Sequence, residues 1–228
     1  MGVALVTGAN KGIGFETARQ LVELGHVVYL GARDRTRGNA AASAIGARFA
    51  QLDVTNDDSV AQALGRIADT EAHLDILINN AGIQEFDPVD GPLALRGFDT
   101  NAVGVVRVTE AALPLLRNSA TPTVVTVSSS AGSFWAVTNP DRPEYHLTNA
   151  IYAASKTAAT MLTVQYAKAN PQMRINAIEP GYTATEMTAG YEGGRPVSDS
   201  ARAVVQLATL GLDGPTGTLR DETGELPW

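Results

Sequence analysis

The chain has 228 residues, 44% of them hydrophobic and 18% charged, a length and balance that fit one sizeable α/β domain and exclude a disordered chain or a small stapled scaffold. Its 17 basic and 24 acidic side chains leave a net charge of −7, which repels a phosphate backbone, so nucleic acid is not an expected partner. With no cysteine and only three scattered histidines, His26, His73 and His146, disulfides and thiolate chemistry are excluded and no metal site is expected.

The opening residues lack the basic start and long apolar run of an export signal, and no stretch approaches the roughly 18 apolar residues of a membrane span. A soluble, cytoplasmic protein without a membrane partner is expected. In chain order, short β-branched runs predict strands near Val3 to Val6, Val27 to Gly31, Arg48 to Leu52, Ile76 to Asn79, Val124 to Ser128, Arg174 to Ile178 and Gly217 to Leu219. Helical periodicity predicts helices between them, near Ile13 to Leu24, Arg37 to Ile45, Asp57 to Thr70, Phe98 to Leu116, Ala150 to Ala169 and Ser198 to Leu210. The strands read as near-continuous apolar runs, as they do when helices cover both faces of a parallel sheet. The expected fold is therefore a single Rossmann-type domain, a doubly wound parallel sheet of about seven strands flanked by helices, spanning the whole chain.

After the first strand comes Thr7-Gly8-Ala9-Asn10-Lys11-Gly12-Ile13-Gly14, followed by a helical pattern. Strand, glycine turn and helix form the context in which a backbone approaches a pyrophosphate and a helix N-terminus favours the anion. Gly8, Asn10, Lys11, Gly12, Ile13 and Gly14 are thus candidate dinucleotide contacts; a tight turn that packs the helix on the sheet is the bland alternative. The second strand ends Gly31-Ala32-Arg33-Asp34, with Ala32 where a ribose-binding acid is usual. Arg33 follows, and a guanidinium grips a 2′-phosphate with two hydrogen bonds, so NADP is favoured over NAD. Lys11 adds a second charge near that phosphate. Either cation is alternatively an ordinary solvated one, and a shift of one register would make Asp34 the ribose acid.

Taken together, these residues resemble the short-chain dehydrogenase/reductase family in its one-domain form, over almost the whole chain. Thr7 to Gly14 looks like the family's TGxxxGxG loop, Asn79-Asn80-Ala81-Gly82 its NNAG segment, Tyr152-Ala153-Ala154-Ser155-Lys156 its YxxxK, and Pro180-Gly181 its motif after the sixth strand. The resemblance implies that Asp53, followed by Val54, meets the adenine, and that Asn80, Ala81 and Gly82 line the adenosine side of the cofactor; their alternative role is sheet architecture. It also implies that Pro180, Gly181 and Thr185 run along the nicotinamide, with Thr183 able to share the hydroxyl role.

Hydride transfer to a carbonyl leaves charge on oxygen, so the site needs a proton donor and hydrogen bonds. Lys156 lies four residues after Tyr152 on a predicted helix, and such positions share a face. By resemblance Tyr152 is the general acid in reduction and the base in oxidation, while Lys156 lowers its pKa and holds the nicotinamide ribose. Of the adjacent hydroxyls Ser128, Ser129 and Ser130, the motif register selects Ser129 to bond the substrate oxygen, with Ser128 as the alternative. Asn101 matches the family's helix asparagine, which completes the catalytic set by holding a water that links the lysine to solvent.

The stretch between Ser129 and Tyr152 is longer than the family's usual spacing. This insertion, within Ser133 to Asn149, carries Phe134, Trp135, Tyr145 and His146 and resembles the lengthened segment of carbonyl-reductase-like members. It either lines the substrate pocket or makes a surface excursion with an aromatic tucked into the core. After Pro180-Gly181 the usual lid is short and polar, with Glu186, Met187, Gly190 and Tyr191, so an open site or merely a mobile loop is expected. The expected function is NADPH-dependent reduction of an aldehyde or ketone to an alcohol. An alcohol dehydrogenase working in oxidation and a nucleotide-sensing protein without turnover are the alternatives. The expected partner is a small carbonyl or alcohol substrate, with a homodimer or homotetramer open.

Overall fold

A computed structural model of the chain describes residues 2–85, 89–190 and 192–228. The β-branched runs become strands β1 (Val3–Val6), β2 (Val27–Ala32), β3 (Arg48–Gln51), β4 (Ile76–Asn79), β5 (Thr123–Val127), β6 (Arg174–Ile178) and β7 (Leu219–Arg220). They pair in parallel in the order β3-β2-β1-β4-β5-β6-β7. Parallel neighbours need crossovers, and these are supplied by α1 (Gly12–Glu23), α2 (Arg35–Ile45), α3 (Asp57–Glu71), α4 (Gly91–Phe98), α5 (Gly104–Leu116), α6 (Phe134–Thr138), α7 (Ala150–Ala169) and α8 (Val197–Ala208).

Successive strand residues point to opposite faces, so each apolar run feeds two cores. Leu5, Leu77, Val124 and Ile175 pack under Leu64 and Ile67 of α3, Val108 and Leu116 of α5 and Ala167 of α7. Val6, Leu30, Ile78 and Val125 pack under Leu21 of α1, Ala42 of α2 and Val204 of α8. Each fully buried leucine or isoleucine contributes about 1.5–3 kcal/mol, so the continuous strands are held from both sides. Among the described residues no helix is long and apolar enough to cross a membrane.

The expected seven-stranded Rossmann-type sheet is present, and its local departures have physical causes. The helix expected to begin at Phe98 begins at Gly91, because the Asp90 carboxylate caps it by accepting from the Leu93 amide at 2.7 Å and Pro92 fits the first turn. Between α4 and α5 the helix widens into a π turn over Asp99–Val103, which carries Asn101. The last strand starts at Leu219 instead of Gly217, because Gly217 takes φ +72° in the bend that brings the chain onto β6.

The sheet also dictates where a ligand fits. From β1 the chain winds to β2 and β3 on one side, and β4 lies on the other, so a crevice opens beyond the carboxyl ends of β1 and β4. The glycine loop leaves β1 and the Asn79-Asn80-Ala81-Gly82 segment leaves β4 into that crevice.

Candidate active site

Every residue expected from the sequence to touch the cofactor, from Gly8 to Thr185, lines one cleft of about 1640 Å³. Arg33, Asp53 and Val54 lie at one end, and Ser129, Tyr152 and Lys156 at the other. Asn101 is buried behind its wall.

The glycine loop is built around Gly8, whose φ of +62° and whose approach to the Ala81 backbone leave a Cβ only 2.8 Å from the Ala81 Cα. Asn80 holds the loop in place, its amide nitrogen donating to the carbonyls of Thr7 at 2.8 Å and Gly8 at 3.2 Å. The Asn80 and Ala81 amides in turn donate to the Thr7 hydroxyl. This segment therefore has the architectural role as well as a place in the cleft. Lys11 stands at the N-cap of α1 without a side-chain cap, so the first-turn amides of the helix are left for an anion. A dinucleotide fits this donor set. The Lys11 ammonium itself pairs with Glu186, across the cleft mouth.

At the adenosine end, β2 closes at Ala32, and Asp34 caps α2 by accepting from the Arg37 amide at 2.8 Å and its Nε at 3.1 Å. That carboxylate is spent within its own helix turn. Arg33 is exposed and has no ion-pair partner among the described residues; with Arg66 it lines an adjoining hollow of about 390 Å³ beside Asp53. Arg66 was not visible as a candidate in the sequence, because its exposed position on α3 reads as an ordinary solvated face.

The three serines after β5 separate cleanly. Ser128 is buried, its hydroxyl bonded to Thr160 at 2.6 Å and to the Lys156 carbonyl at 3.2 Å. Ser130 is buried too, its amide donating to the Glu179 carboxylate. Ser129 is partly exposed to the cleft, with its hydroxyl oxygen accepting from the Ala131 amide at 3.2 Å and acting by hydrogen bonding on Tyr152. Asn149 caps α7 by accepting from the Tyr152 amide at 3.2 Å, which fixes Tyr152 in the first turn and Lys156 one turn on. The Lys156 Nζ lies 5.7 Å from the Tyr152 ring centroid and donates to the Val127 carbonyl at 2.7 Å. Asn101 spends its side chain on the backbone of Ile83, at 2.8 and 2.9 Å, and on the Ser155 hydroxyl at 2.9 Å. It positions the Gly82–Ile83 turn against α7, and its Oδ1 and the Lys156 Nζ both border Gly82.

Gly132 sets how closely the serine turn meets that helix. A Cβ there would lie 2.7 Å from the Thr157 nitrogen and 2.8 Å from the Lys156 carbonyl carbon, both backbone atoms that cannot swing aside. Gly132→Ala is expected to cost about 1–3 kcal/mol of stability and to lower turnover by shifting Lys156. Chemical denaturation of the two proteins, with an activity assay, checks both; an unchanged midpoint counts against the close packing described.

Burial and the Glu179 carboxylate push the Tyr152 phenol up to about 12, against an opposing pull from Ser129. Desolvation, which disfavours the phenolate, thus works against the lowered phenol pKa that the resemblance implies. Burial likewise pushes Lys156 down to about 8, with Glu179 opposing. Between pH 8 and 10.5 the unfolded lysine binds more protons than the folded one, so the native state gains stability as pH rises through that window. Lys156→Met should therefore differ from the parent in melting temperature more favourably at pH 7 than at pH 9.5. A difference that does not vary with pH would contradict the shift.

Opposite the glycine loop, Thr183 is buried with its hydroxyl bonded to the Gly181 carbonyl at 2.7 Å and to Ser200 at 2.6 Å, whereas Thr185 faces Gly12. Thr185 is the freer hydroxyl for a ligand. The insertion lines the cleft with Arg142, Glu144 and His146 among others. No aromatic of it enters the core: Phe134 and Tyr145 are exposed, and Trp135 carries the Arg142 guanidinium 5.4 Å from its ring centroid. Its buried side chains are Ser133, Ala136 and Glu144, the last bonded twice to Arg142 at 3.0 and 2.9 Å. The chain terminus straps it down, since the Pro227 carbonyl accepts from Ser133 at 2.6 Å and the Trp228 carbonyl from the Trp135 amide at 2.8 Å. Tyr191 lies outside the described residues.

The family model for short chain dehydrogenases matches residues 2–195. The chain is 32% identical to (-)-isopiperitenone reductase of Mentha piperita, over 94% of each protein. The structure of salutaridine reductase from Papaver somniferum superposes with a TM-score of 0.86 at 29% identity, covering 96% of this chain and 99% of that one. An NADPH-bound carbonyl reductase from chicken fatty liver shares the fold with a TM-score of 0.89 at 24% identity, over 100% of this chain and 99% of the other. A family model that spans most of the chain and a reductase 32% identical over 94% of each protein show the family: the protein belongs to the short-chain dehydrogenase/reductase family of oxidoreductases acting on carbonyl and CH–OH groups.

Proposed function

We propose that the protein reduces an aldehyde or ketone to an alcohol with NADPH as the hydride donor. The observation that carries this reading is the convergence of the Tyr152 ring, the Lys156 Nζ 5.7 Å from its centroid, and the cleft-facing Ser129 hydroxyl at one end of a cleft whose other end holds Arg33. The reduced nicotinamide, when bound, supplies a hydride to the carbonyl carbon. As charge develops on the carbonyl oxygen, the Ser129 hydroxyl donates a hydrogen bond and the Tyr152 phenol gives up its proton, so the product leaves as a neutral alcohol. Lys156, near pKa 8, carries a substantial positive charge at neutral pH to balance the tyrosinate left behind, and it is the residue to hold the nicotinamide ribose. Asn101 acts behind these groups as a positioning residue.

The adenosine end is held by Asp53, Val54, Asn80, Ala81 and Gly82, the pyrophosphate by Gly8, Asn10, Gly12, Ile13 and Gly14, and the nicotinamide by Pro180, Gly181 and Thr185. Arg33 grips the 2′-phosphate; an ionised Asp34 in its place would repel it, but Asp34 is turned into its own helix. A phenol that burial raises to about 12 is protonated at neutral pH, which is the form that donates to the carbonyl oxygen in reduction. The test is the loss of NADPH absorbance over a panel of aldehydes and ketones, with the parent compared with Tyr152→Phe. A parent that binds NADPH yet is as inactive as the variant across the panel would replace this reading with that of a nucleotide sensor.

A further inference from the structure

Glu179 lies at the end of β6, immediately before Pro180, where the sequence offers an ionisable group at the close of an apolar run. Its amide donates to the Arg220 carbonyl at 2.7 Å, so the backbone is anchored on β7. The side chain lines the cleft floor, partly buried. One carboxylate oxygen accepts from the Gly181 amide at 2.8 Å and the other from the Ser130 amide. A single carboxylate therefore ties the turn that carries Ser129 to the turn that is to carry the nicotinamide. Nothing in the proposed reaction has yet used it.

We propose that Glu179 is a positioning residue for this reaction, its carboxylate clamping the Ser129–Ser130 turn to the Pro180–Gly181 turn and, when ionised, placing a negative charge beside Tyr152 and Lys156. The inference rests on the carbonyl-reductase reading above. The charge raises the proton affinity of both partners: it helps keep the lysine an ammonium and moves the phenol's loss of its proton to higher pH, while the clamp holds the Ser129 turn for reduction. Burial, with the neighbouring Glu144, pushes the Glu179 carboxyl above the usual carboxylate range, against the pull of the Ser130 and Gly181 amides and the Ser130 hydroxyl. The ionisable groups around it are Tyr152 and Lys156 on α7, Glu144 of the insertion, which is neutralised by Arg142, and Arg195, which is packed over Gly181 and paired with Glu222. Arg220 meets it through its backbone. A glutamine of the same shape keeps one acceptor, but turns an amide toward a backbone donor and removes the charge.

The experiment compares parent, Glu179→Gln and Glu179→Asp in NADPH-dependent reduction across pH, with NADPH affinity measured by fluorescence. In Glu179→Gln, kcat is expected to fall about tenfold with NADPH affinity unchanged, and the alkaline limb, where the phenol loses its proton, to move down by about one pH unit. Glu179→Asp keeps the charge but is too short to span both amides, so the limb should return while kcat stays low. An unchanged kcat, or a fall in kcat without movement of the limb, overturns the inference. If Glu179→Gln does not fold, Glu179→Asp decides the matter: a kcat equal to the parent's overturns the proposal, and a lowered kcat with the parent's alkaline limb supports it. A parent that reduces no carbonyl sinks the functional reading and this inference with it. An active parent, an inactive Tyr152→Phe and an unaltered Glu179→Gln sink this inference alone.

Discussion

Tyr152→Phe is expected to lower kcat for carbonyl reduction by about 10²–10⁴-fold, the usual contribution of a positioned general acid, while NADPH affinity stays close to that of the parent. The phenol lies at the first turn of α7, tied there by Asn149, and phenylalanine keeps the ring, its packing and the helix cap. What disappears is one hydroxyl, and with it the proton that would neutralise the developing alkoxide. The Ser129 hydroxyl remains and still donates a hydrogen bond, so activity should fall to a residue and not to nothing. Steady-state kinetics with a responsive aldehyde, alongside a fluorescence titration of NADPH, separates chemistry from binding. A variant that retains more than about a tenth of the parent's kcat would remove Tyr152 from the proton transfer.

Arg33→Ala is expected to weaken NADPH binding by about 10–100-fold and to leave NADH nearly untouched, since hydrogen bonds to a charged group are worth about 1.5–3 kcal/mol. Arg33 is exposed at the rim of the hollow it shares with Arg66 and has no ion-pair partner among the described residues, so removing it breaks no ion pair there. The effect should shrink at high salt, because screening weakens an exposed phosphate contact. Dissociation constants for both cofactors in parent and variant decide the assignment. An undiminished preference for NADPH would refute it and move attention to Arg66.

Much of the site was legible because its signals are local. The glycine loop follows a strand and opens a helix within a few residues, and the Tyr152–Lys156 spacing is one helical turn, so periodicity alone places both on one face. The family's serine register points to Ser129, and the fold keeps it partly exposed to the cleft while burying Ser128 against Thr160 and Ser130 beside Glu179. Other features were not legible. Asp34 and Arg33 are adjacent, and only the fold engages the Asp34 carboxylate with Arg37 while leaving Arg33 at the cleft. By sequence Thr183 can share the hydroxyl role of Thr185, and only the fold occupies it against Ser200. The insertion's aromatics drew attention, yet Glu144 and its arginine are what fold inward.

The amino-acid sequence determined the order of strands and helices, the parallel doubly wound sheet and the chemistry gathered at its carboxyl edge, because apolar periodicity, glycine turns and helix spacing act over a few residues at a time. The tertiary structure alone decided how residues far apart in the chain share their hydrogen bonds and charge. Glu179 meets Ser130, Ser133 meets the Pro227 carbonyl, and burial pushes the Tyr152 phenol up, because desolvation depends on everything packed around a group and not on its neighbours in sequence.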